Sequence, residues 1–180
     1  PTTTVTHVEF SVIEFTSPKT PKMSKQPVNT VLWMIYAWIY DNTLLYKAAT
    51  QAGTNAPRRS ITPKGPTVQQ SLGKTAPSAT FQDLIKSPYD EQLFEFYAVS
   101  QLVQNKNGVD TNVGKPGIFS YFILSPANNY MLIRTITTPF SYFVTSTDFP
   151  SPVIIPDLTG RVVQVFSDLP SSDSPPSVPT

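Results

Sequence analysis

The chain has 180 residues, of which 39% are hydrophobic and 14% charged, with nineteen prolines, no cysteine, one histidine and a formal net charge of +1. That apolar content suffices for a core and excludes wholesale disorder, and the lack of cysteine excludes a disulfide framework and a thiolate metal site. The small net charge conceals an asymmetry: residues 1–82 carry eight basic side chains against three acids, and residues 83–180 carry five against nine.

In chain order, Val8, Phe10 and Val12 alternate with His7, Glu9 and Ser11, the period of a strand running over Val5–Phe15. Ile13 and Phe15 shift the phase, which predicts a bulge, and Ser17-Pro18 ends the strand. Val28 to Tyr46 is the most apolar segment. Its β-branched and aromatic residues predict a central strand covered on both faces, with a buried helix as the alternative for so continuous an apolar run. The apolar run Val31–Tyr40 is too short to span a bilayer.

Residues 50–80 lack apolar periodicity and are rich in Gly, Pro, Ser and Thr, which predicts a loop or linker. No acid occurs between Asp41 and Asp83, whereas Lys47, Arg58, Arg59, Lys64 and Lys74 do. A solvated loop is the plain reading of such a block. Contact with RNA or with an acidic subunit surface is the sharper one, with Arg58, Arg59, Lys64 and Lys74 as its candidates.

Two helix starts follow. Thr80 and Asp83 have the spacing of a capping pair. In Ser87-Pro88-Tyr89-Asp90-Glu91 the serine suits the cap, the proline the first helical position, and the acids the helix dipole. Leu93, Phe96, Tyr97 and Val103 then form one side of a helix ending near Asn105, with Asn107-Gly108 as its stop; a strand over residues 93–99 is the alternative. Strands at 118–124 and 130–137 flank a Ser-Pro-Ala-Asn-Asn turn and predict a hairpin. Further strands are predicted at 140–147 and 160–166, and the Pro/Ser-rich tail from Pro170 is predicted to be extended. The fold class expected is mainly β, an antiparallel sandwich or jelly-roll-like arrangement with one or two short helices. The organisation is strands over 1–49, a loop or linker over 50–80, an α+β part over 81–169 and a tail over 170–180.

The inventory of reactive groups points away from an enzyme. His7, the one histidine, sits on an alternating strand with no acid-bearing motif around it and reads as a surface residue rather than a general base. No phosphate-binding glycine loop is present, and Asp148, Asp157, Asp168 and Asp173 match no calcium-loop spacing. Glu9 and Glu14 both fall on the solvent side of a bulged strand rather than forming a glycosidase pair. No catalytic, cofactor-binding or metal-binding residue is assigned. Among the aromatics, Phe119, Tyr121, Tyr142 and Phe143 either fill a β core or form a docking surface.

The pattern of Val8–Pro18, a strand of alternating residues closing on a proline turn, resembles an element of the picorna-like icosahedral capsid proteins, including those of dicistroviruses and iflaviruses. Val28–Tyr46, a hydrophobic strand with Asp41 at an acidic position, resembles a second such element. The resemblance covers roughly the first quarter of the chain. It implies the C-terminal portion of a capsid subunit with a surface extension. Such a subunit is assembled in the host cytoplasm into a virion and packs against like and unlike capsid subunits, with RNA or a host receptor as further partners. A free-standing β-sandwich module of adhesin type, binding a receptor or glycan, is the alternative.

Overall fold

The computed structural model describes residues 11–12, 22–33, 36–40, 42–59 and 84–170. Its centre is a seven-stranded antiparallel sheet in which neighbours in sequence are neighbours in space. The strands are β3 (Tyr36–Ile39), β4 (Thr43–Ala49), β5 (Ser100–Lys106), β6 (Val109–Leu124), β7 (Met131–Ile136), β8 (Val153–Pro156) and β9 (Val162–Ser167). Two short strands, β1 (Ser11–Val12) and β2 (Lys22–Met23), pair separately. One α-helix, α1 (Pro88–Ala98), lies in the connection from β4 to β5. The mainly β class expected from the composition is the observed one.

β6 joins two halves. Its first part pairs with β5, from Val109↔Lys106 to Gly117↔Ser100, and its second with β7, from Ile118↔Ile136 to Leu124↔Met131. The halves close on each other around one core: Ile39, Leu45, Leu102 and Val113 from the first pack with Phe119, Phe122, Met131 and Ile133 from the second. Burying each large apolar side chain contributes about 1.5–3 kcal/mol, so replacing the fully buried Phe122 by Ala should cost about 3–5 kcal/mol. The β8–β9 turn caps this core. Gln104 Nε2 donates to Leu158 O at 2.7 Å, and Gly160, at φ +88°, lies against the backbone of Gly114. A second cluster packs Ile85, Phe94 and Ala98 around α1 against Phe140, Val144 and Phe149. The Phe140 and Phe149 rings stack at 5.4 Å, and Phe94 meets both edge-on.

Several expectations need correction. The helix does not reach Asn105: it ends at Ala98, and residues 100–106 form β5. The reason is the turn that follows. Asn107 (φ 55°) and Gly108 (φ 82°) are both left-handed, the requirement of a two-residue hairpin turn rather than a helix stop. That hairpin sets β5 against the long edge of β4, in register from Thr43↔Lys106 to Ala49↔Ser100. Val28–Tyr46 is not one central strand. Residues 27–29 and β3 both flank β4, separated by a loop, and the chain reverses at Asn42 (φ 60°) into β4. Residues 140–147 form no strand but bends leading into a 3-10 turn at Ser146–Asp148. β4 and β5, on either side of the 50–80 stretch, are paired and share buried clusters. The helix start at Ser87 and the 125–129 hairpin are found as expected, and the strand expected at 160–166 is β9, starting at Val162 after the turn at Gly160. Thr80, Asp83, His7, Glu9 and the tail beyond residue 170 lie outside the described residues. Among the described residues no helix is long and apolar enough to cross a membrane.

Candidate interaction surfaces

The segment before β3 is fastened by two polar side chains, and this fixes what its edge presents. Asn29 is buried, and both ends of its side-chain amide and its N–H are used. Its Nδ2 donates to Tyr97 O (2.9 Å) and Val99 O (3.2 Å), closing the C-terminus of α1; its Oδ1 accepts from Val31 N (3.0 Å); its own N–H donates to Lys47 O (2.8 Å). Lys47 lies on the inner face of β4 and is only 1% exposed. Its ammonium donates to Leu32 O (2.8 Å), Trp33 O (3.1 Å) and, more distantly, Phe119 O (3.5 Å). Burial lowers its pKa to about 8, with no charged group contributing. The loop is thereby pulled inward at Leu32, which packs on the cluster around α1, while Trp33 is turned out and stands 88% exposed.

Beyond the loop, β3 is an edge strand. Its alternation sends Ala37 and Ile39 into the core and Tyr36 and Trp38 to the opposite face, with Tyr40 following at the turn. All three aromatics are about half exposed or more. On the same face, Tyr46 is completed by Asp110: the phenol donates to Oδ2 at 2.9 Å, an oxygen that also accepts from Lys25 N at 3.1 Å. Burial first, and then this carboxylate, hold the Tyr46 phenol well above its ordinary pKa. The opposite edge is β9, where Val162, Val163, Val165 and Phe166 are each about half exposed or more. Strand edges in single-chain proteins are usually blunted by charge or proline, and β9 carries neither within Val162–Ser167. Both edge strands therefore present exposed apolar side chains, the composition of a surface that is covered in assembly.

The residues singled out from sequence are scattered. Arg58 and Arg59 are exposed in the segment after β4, and Lys64 and Lys74 lie outside the described residues. Phe119 is buried in the core between the halves, so it is not a surface aromatic. Tyr121 is half-buried on β6. Tyr142 is held by α1: burial and a hydrogen bond to Glu91 push its phenol up. Phe143 alone of the four is well exposed, at 78%. The exposed aromatics on β3 went unremarked because a run in which every residue is apolar shows no alternation. Their one signal was size, since large Tyr36, Trp38 and Tyr40 alternate with smaller Ala37 and Ile39. Among the described residues no group of three or more His, Cys, Asp or Glu could hold a metal ion.

No protein-family model matches the chain, and no solved structure does. Two curated proteins are similar to it. Over 143 residues it is 33% identical to the probable chloroplastic glutamyl endopeptidase of Arabidopsis thaliana, and 32% identical to that of Oryza sativa subsp. japonica. Each alignment takes in 78% of this chain but 15% of the relative, so the chain spans a small part of the proteins it matches.

Proposed function

We propose that this chain is a β-structured, non-catalytic part of a larger glutamyl endopeptidase-like polypeptide, and that the rest of that polypeptide docks on its two sheet edges. One observation carries the reading: similarity extends over most of the chain while filling only 15% of either relative. Peptide hydrolysis requires an activated nucleophile or a metal-bound water. With one histidine and no cysteine, this chain supplies little toward either, so the reading assigns cleavage to the remaining length. The exposed β3 aromatics and the uncharged β9 edge are the surfaces such a polypeptide would cover. The capsid expectation rests on residue patterns in the first quarter of the chain, whereas this reading rests on aligned residues across most of it.

An antibody raised against the chain tests the reading in an extract of the source organism. It is expected to detect a polypeptide much longer than 180 residues and, on immunodepletion, to remove cleavage after glutamate from a model peptide. Recovery of a free chain of this length, with the peptidase activity left in the supernatant, would overturn the proposal.

A further inference from the structure

We infer that the Arg58–Arg59 pair is a processing site for a trypsin-like endopeptidase that cleaves after basic residues, and that cleavage there converts the chain into a stable two-fragment form. This inference does not depend on the function proposed above. β4 ends in a tight turn: Thr54 N donates to Gln51 O at 3.0 Å, Thr54 Oγ1 donates to the same oxygen at 2.7 Å, and Gly53 takes φ +78°. The turn ends the pairing of β4, and the next residues leave regular structure. Asn55, Arg58 and Arg59 are exposed, Ala56 and Pro57 are half-buried, and the five have no regular structure. No hydrogen bond ties them to other described residues. Pro57 has a fixed φ and biases Ala56 toward extended backbone, the conformation an endopeptidase cleft pairs with.

The other described basic residues are poorer targets. Lys22, Lys106, Lys115 and Arg134 lie within strands, and Lys47 is buried. The backbone N–H groups of Lys25, Lys86 and Arg161 are bonded to Asp110, Asp90 and Asp157. A basic side chain exposed on a segment without regular structure is what such a protease selects.

In the reaction, water adds across the peptide bond on the carboxyl side of one of the two arginines. The C–N bond breaks, the first fragment ends in an arginine carboxylate, and the second begins with a new amino group. The fragments have reason to stay together. β4 and β5 come from opposite sides of the cut and pair along their full length. Asn29 of the first fragment holds the carbonyls of Tyr97 and Val99 in the second. The buried clusters also draw side chains from both.

The test is limited digestion of the full chain with trypsin at low ratio, followed by fragment masses, N-terminal sequencing and size-exclusion chromatography without denaturant. The first products expected are one fragment ending at Arg58 or Arg59 and its complement, eluting together at the position of the intact chain. In the double variant R58Q/R59Q that cut should slow by at least about tenfold, while R58K/R59K should restore it. A first cut elsewhere, at Lys64 or Lys74 included, would overturn the inference, as would fragments that elute apart or an R58Q/R59Q chain cut at the original rate.

Discussion

Lys47 is an ammonium held in the interior by carbonyl dipoles among the described residues, and its titration should be visible in the stability of the whole chain. Its pKa of about 8 in the folded state lies below the ordinary lysine value. Between those values the unfolded chain binds a proton that the folded chain has lost, so stability rises with pH across that window; below pH 8 both states are protonated and the burial cost is present in full. Urea unfolding is therefore expected to show a gain of roughly 2 kcal/mol from about pH 8 to about pH 10, absent in Lys47→Met. Tyr46 acts in the opposite sense at higher pH: its raised folded pKa means the unfolded chain loses the phenolic proton first, so stability falls again above about pH 10. The glycines separate strain from space. At Gly160 a Cβ would overlap the Gly114 backbone, and φ is +88° as well, so Gly160→Ala should cost at least about 3 kcal/mol. At Gly53 (φ +78°) nothing lies within 4 Å, so Gly53→Ala should cost about 1 kcal/mol, from backbone strain alone. Thermal unfolding of the two variants distinguishes these outcomes.

Helix α1 shows what short-range sequence conveys and what it omits. Its start was legible because the cap is local: Ser87 Oγ accepts from Asp90 N at 3.3 Å and donates to the Asp90 carboxylate at 2.9 Å, and Pro88 needs no hydrogen bond there. Ser87→Ala should cost about 1 kcal/mol, read as a lower unfolding midpoint. Its end was not legible, because the group that closes it is Asn29, on a different segment. Asn29→Leu leaves two carbonyls and the Val31 N–H without that partner and should cost at least about 3 kcal/mol. The extension of that helix to Asn105 failed for a related reason: Leu93, Phe96 and Tyr97 fit a helical spacing, but Val103 belongs to a strand and pairs with Tyr46 on β4, nearly sixty residues earlier. By contrast, the 125–129 hairpin was read correctly because its determinants are adjacent. Ser125 Oγ accepts from both Asn129 N and Tyr130 N at 3.2 Å, and Asn128 takes the left-handed conformation. The candidate edges were the least legible part, since exposure of an apolar strand depends on where it falls in the sheet order rather than on its own residues.

For the molecule as a whole, the exposed apolar side chains on β3 and β9 predict behaviour in isolation. The purified chain should self-associate as its concentration rises, and Val163→Lys with Val165→Lys on β9 should suppress this in light scattering while changing stability by less than about 1 kcal/mol, because both positions are already exposed. Persistence of the association would move the sticky surface to β3. The two halves are joined through β6, a single sixteen-residue strand whose first part completes one half and whose second part begins the other. Neither half can release its share of that strand without loosening the other's border, so they have no independent melting points. Native-state hydrogen exchange should find the slowest amides of β5 and of β7 opening with one common free energy, in a single event that takes down both halves together.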